Sequence, residues 1–138
     1  MCNSCSCVEK ILKLIRSIQG SLNCTMQNSA KNYGLNTTEF MVMFEIYNNE
    51  GISLNELSKL LQLPKSSVSR IVDQLVTKEI ISRLIPAENR RMIKLFVNRG
   101  FLESKEVKNI HKELLQDIEP AKADRIISAL EELKSIIK

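Results

Sequence analysis

At 138 residues and a net charge of +4, the chain has the length of one domain and can bury about two-thirds of its unfolded surface. No apolar run approaches the roughly 20 residues that cross a bilayer, and the N-terminus lacks a secretion signal's apolar segment, so a cytoplasmic protein with no membrane partner is expected. Between Lys59 and Arg99 nine basic residues stand against three acidic ones, a surplus of +6 that leaves −2 elsewhere; this suits a polyanionic partner, or simply a solvated charged face.

The chain begins with Cys2, Cys5 and Cys7 in a Cys-x-x-Cys-x-Cys pattern. Three readings stay open. The thiols can ligate zinc or an iron–sulfur cluster, Cys2 and Cys5 can form a reversible disulfide, or the tail carries incidental thiols. Cys24 lies roughly 24 Å further along a helix, so it joins such a site only from a partner subunit or through a break near Gly20. Without an export signal, a disulfide framework is not expected.

From Val8 to about Tyr33, apolar residues recur at spacings of three and four (Ile11, Ile15, Ile18, Leu22, Met26), one stripe of a long helix that Gly34 closes. Asn36 followed by Glu39 marks the cap of a second helix, Thr38 to Asn48. Ser53 followed by Glu56 is a second capping box, starting a short third helix. Pro64 leads into the fourth, Lys65 to Val76. At 100° per residue, Val68, Ile71, Val72 and Leu75 fall within about 100° of arc. Ser66, Arg70, Asp73 and Thr77 point the other way, flanked by Ser67, Ser69 and Gln74. Short hydroxyls and one arginine allow close approach to a major groove. A Ser-rich solvated face reads the same way.

Ile80–Ile85 and Met92–Val97 alternate as the strands of a hairpin, with Arg90 and Arg91 beside Glu88 at its tip. Such arginines suit a narrow minor groove, with Glu88 steadying Arg90, although most hairpin tips are merely polar turns. Beyond Gly100, Val107, Ile110, Leu114 and Ile118 predict one helical stripe. Pro120 then opens a last helix whose stripe runs from Ala123 to Ile137. The fold class expected is mainly α with a small β-hairpin: a winged helix-turn-helix with terminal dimerisation helices. The terminal stripes exceed what a winged domain of about 65 residues covers, which implies a homodimer presenting two heads to a two-fold operator. One domain, 1–138, then comprises dimerisation segments 1–33 and 99–138 around a DNA-binding lobe, 34–98. An enzyme is not expected: His111 is the only histidine, expected on a solvent-facing helix surface, and no phosphate-cradling loop exists.

These residues resemble the MarR (multiple antibiotic resistance regulator) family over nearly the full length, most closely from Leu35 to Gly100. Leu35-Asn36-Thr37-Thr38-Glu39-Phe40 is similar to its approach to the second helix. Glu56-Leu57-Ser58, Leu61, Leu63, Ser66–Leu75 and Ile80-Ile81-Ser82-Arg83 follow its core pattern. Glu88-Asn89-Arg90 stands for its wing Asp-x-Arg, and Val97-Asn98-Arg99-Gly100 for the Leu-Thr and glycine that follow. Three departures stand out: Glu88 replaces Asp, Asn98 replaces Thr as the expected cap of the fifth helix, and Lys78-Glu79-Ile80 lacks a glycine often found before the wing.

The resemblance implies a dimeric regulator that represses or activates at a short palindrome. In many relatives a small, often aromatic ligand binds between dimer body and reading lobe. Hydroperoxide-sensing relatives carry a cysteine where this chain has Leu12, so that sensor is not expected. The DNA-contact set is then Lys65, Ser66, Ser67, Ser69 and Arg70 on the fourth helix, with Arg90, Arg91 and Lys94 on the wing. Double-stranded DNA and a second copy are the expected partners. The rival from another class is a winged helix that binds protein instead of DNA.

Overall fold

The computed structural model describes residues 4–88, 92–105 and 110–138. Helix α1 (Ser4–Asn32) ends where a left-handed Gly34 (φ 68°) lets the Leu35 N–H donate to the Ala30 carbonyl at 2.9 Å. That closure satisfies carbonyls the helix itself leaves open. It starts before Val8 because Ser4 to Cys7 extend the same helix.

Helix α2 (Thr37–Asn48) opens with a complete capping box. The Glu39 N–H donates to Asn36 Oδ1 at 2.8 Å, and the Asn36 N–H donates to Glu39 Oε1 at 3.1 Å. The other Glu39 oxygen accepts from Lys78 Nζ at 2.8 Å. Burial opposes ionisation of Glu39, but the Lys78 bond, the Asn36 N–H and the Lys78 charge outweigh it and hold the carboxyl below its usual range.

A two-residue strand, β1 (Ile52–Ser53), precedes α3 (Leu54–Leu61). Only half of the expected second capping box forms: Ser53 Oγ accepts from the Glu56 N–H at 3.2 Å, and Ser53 is at once the N-cap of α3 and a strand residue. Helix α4 (Lys65–Thr77) follows, then β2 (Ile81–Leu84) and β3 (Lys94–Val97). The sheet is antiparallel in the order β1-β3-β2, with Ile52 opposite Leu95, Arg83 opposite Leu95 and Leu84 opposite Lys94. Beyond the expected hairpin there is therefore a third strand.

The core lies in this lobe. Phe40, Val42, Met43, Ile46, Leu57, Val68, Val72, Leu75 and Leu95 are essentially inaccessible. From α1 only the C-terminal end contributes, through Met26 and Ala30, and just beyond it Tyr33 stacks its ring on Phe40 and leans on Phe101.

After β3 the chain departs from the single expected stripe. Helix α5 (Arg99–Ser104) and helix α6 (His111–Leu114) are short and separate, Leu115 is extended (φ −143°, ψ 141°), and Ile118 lies on no helix. Tertiary contacts override the periodicity. Ile110 is fully buried, the Tyr33 hydroxyl donates to Glu113 Oε1 at 2.6 Å, and the exposed His111 sets its ring edge-on to Phe44 and against Tyr47. Burial, and then the bond to the Glu113 carboxylate, push the Tyr33 hydroxyl pKa upward. Val107 lies outside the described residues. Helix α7 (Pro120–Ile136) begins at Pro120, as its fixed φ favours.

Candidate nucleic-acid interface

Helix α4 divides as its sequence requires. Val68, Ile71, Val72 and Leu75 face the core. Lys65, Ser66, Arg70, Asp73, Gln74 and Thr77 are exposed, while Ser67 and Ser69 are half-buried at the border. Pro64 holds the N-cap position and makes no side-chain cap, and the first turn contains no acidic residue. The N-terminal end of α4 is thus a positive dipole end with open N–H groups, flanked by hydroxyls and one lysine.

Lys94 is exposed on β3, across from Leu84 on one side and Ser53 on the other. Arg90 and Arg91, and with them the expected Glu88–Arg90 contact, lie outside the described residues; Glu88 itself is exposed. The hairpin stem also exposes Leu84, Ile85 and Met92.

One contact that sequence reasoning missed joins the two parts of this surface. Arg83 on β2 forms an ion pair with Asp73 on the outward face of α4. Arg83 thus braces the wing root against the fourth helix, a role that the opposite charges ten residues apart could have suggested. Asn98 is a further correction. It occupies the N-cap position of α5 without capping it. Its side-chain NH2 instead donates to the Glu79 carbonyl at 2.7 Å, and its Oδ1 accepts from the Ser82 hydroxyl.

The reversible Cys2–Cys5 disulfide is not formed, because the Cys5 thiol is free. Cys5 is an exposed free thiol, Cys7 is half-buried and disulfide-bonded, and Cys2 lies outside the described residues. Cys24 is a free thiol and exposed. Among the described residues no cluster of three potential metal ligands forms, and no helix is long and apolar enough to cross a membrane.

A helix–turn–helix followed by a β-hairpin, to which the preceding β1 adds a third strand, defines a winged-helix protein. Solved structures share that fold. A MarR family transcriptional regulator from Listeria monocytogenes complexed with 26mer DNA superposes with a TM-score of 0.71 at 21% identity, over 90% of this chain and 86% of that one. A mutant of MarR from E. coli complexed with operator DNA gives 0.64 at 17% identity, over 96% and 99%. The sequence model of the MarR family matches residues 35–105. The HTH-type transcriptional regulator MhqR of Bacillus subtilis (strain 168) is 32% identical over 130 residues, 90% of this chain and 83% of that protein. The chain belongs to the MarR family, and its class is that of transcriptional regulators, not enzymes.

Proposed function

We propose that two copies of this chain form a regulator that grips a pseudo-palindromic duplex operator, one α4 and one wing from each copy. The observation that carries this reading is the outward side of α4. It holds Lys65, Ser66 and Arg70, bordered by Ser67 and Ser69, with no bulky apolar group above a fully buried inner face. Hydroxyls and a guanidinium at that spacing donate to phosphates and to base edges, guanine above all. Lys94 adds a phosphate contact from the wing, and Arg90, helped by Arg91, reaches the minor groove.

The dimer is supported by the terminal arms. The α1 stripe and α7 approach each other but leave Ile18, Leu22, Ile127 and Leu130 exposed. Grooves of about 380 and 560 Å³ between them are lined almost wholly by apolar side chains. A second copy covers that surface and relates the two reading heads by a two-fold axis. In this scheme 1–33 and 99–138 are the dimer body and 34–98 the reading lobe.

The test is fluorescence anisotropy on random-sequence duplex DNA over a salt series. The wild type should bind at low salt with a steep logarithmic salt slope, and Arg90→Ala should weaken binding by about 1–3 kcal/mol and flatten the slope. No binding at micromolar protein would favour a protein-interaction module instead.

A further inference from the structure

Helix α4 closes with the same hydrogen-bond pattern as α1, but with a different residue at the critical position. The Ile80 N–H donates to the Leu75 carbonyl at 2.9 Å and the Glu79 N–H to the Val76 carbonyl at 3.0 Å. This Schellman closure requires a left-handed residue, and Glu79 supplies it at φ 63°. In α1 the equivalent residue is Gly34, which takes that conformation freely. A residue with a Cβ is disfavoured there, so support from outside the turn offsets a cost that glycine does not carry.

Asn98 provides it. Its side-chain NH2 donates to the Glu79 carbonyl at 2.7 Å, and its backbone N–H donates to the Ile80 carbonyl at 2.8 Å. Its Oδ1 accepts the Ser82 hydroxyl on β2. One half-buried side chain at the start of α5 therefore ties the exit of α4 to the first strand of the wing. A carboxamide carries its donor and its acceptor on separate atoms, so it reaches both partners at once; a threonine hydroxyl at position 98 would have to donate and accept through one oxygen on a shorter arm. Glu79 in place of a glycine and Asn98 in place of a threonine, the two departures in this region, are thus in direct contact.

We infer that Asn98 is a positioning residue that holds Glu79 in its left-handed turn, and so sets the direction in which the wing leaves the fourth helix. Its consequence for DNA rests on the function proposed above. Its structural half does not.

The experiment compares the wild-type chain with Asn98→Ala, Glu79→Gly and the double variant. In a salt-series anisotropy titration, Asn98→Ala should lose roughly tenfold in duplex affinity (~1.4 kcal/mol) with a flatter salt slope. Adding Glu79→Gly should recover most of that loss, because glycine holds the turn unaided. Wild-type affinity in Asn98→Ala, or a double variant no better than Asn98→Ala, overturns the inference. If the wild type binds no duplex, the DNA reading fails and amide exchange decides the inference instead. Exchange at the Ile80 N–H should rise about tenfold in Asn98→Ala and fall back in the double variant. An unchanged rate rejects the idea. Should Asn98→Ala fail to fold, recovery of a folded protein by Glu79→Gly supports it and continued failure overturns it.

Discussion

The reading lobe and the terminal arms use the same aliphatic residues to opposite ends. In the lobe, Ile46, Leu57, Val68, Leu75 and Leu95 are sealed from solvent. In the arms, no residue from Cys5 to Cys24 is buried, and none in α7. Ile18 is 51% exposed and Leu14 62%. The lobe's core is closed within one chain, with Ala30, Tyr33 and Ile110 added from its flanks, whereas the arms leave a broad apolar surface exposed. In the function proposed above, recognition falls to the more deeply buried unit and assembly to the one left unsatisfied alone.

A charge in the arm seam breaks this contrast most forcefully. Ile18→Asp should convert the proposed dimer to monomer in light scattering at micromolar concentration, since each copy would bury an unpaired carboxylate at a cost of several kcal/mol. If the arms are solvated in a monomer instead, the same change at a half-exposed site should shift the melting temperature hardly at all. Next in size, Arg70→Ala should weaken duplex binding by about 1–3 kcal/mol in gel shifts while leaving the molar mass unchanged. A change of mass with Arg70→Ala would mean that lobe and arms are not separable.

A smaller effect tests what holds the lobe together. The Glu39 carboxyl is held below its unfolded pKa, so its contribution to stability is present above about pH 4.5 and is lost as pH falls through the lowered folded value. Lys78→Met should remove part of that acid dependence. Because Lys78 is 44% exposed, solvent screening keeps the neutral-pH loss to about 1 kcal/mol or less. Denaturant midpoints between pH 3 and 7 measure both, and an unaltered acid limb would place the source elsewhere. The smallest change expected is a gain. Gln62 closes α3 at φ 55°, so Gln62→Gly should raise stability by about 0.5–1 kcal/mol in thermal melts.

What was legible in the chain depended on whether local chemistry or distant contacts decided each element. Asn36 with Glu39, Gly34 and Pro120 declared their helix ends because capping and backbone preference act within a few residues. The inner and outer sides of α4 followed from periodicity alone. By contrast, β1 is two residues long, too short for any alternation to register, and exists through its pairing with Leu95 and Lys94. The break between α5 and α6 was hidden because Ile110 and Leu114 keep helical spacing while Tyr33, Phe44 and Tyr47 draw the segment aside. Asn98 looked like a cap since capping is its commonest role; a carbonyl nineteen residues away had the stronger claim.

Ser53 carries a mechanical consequence. Because it starts α3 while lying in register with Lys94, one residue belongs to both the helix–turn–helix and the sheet that carries the hairpin. That shared residue couples the hairpin's pairing directly to the first turn of α3, so a displacement of β3 is transmitted to the helix start.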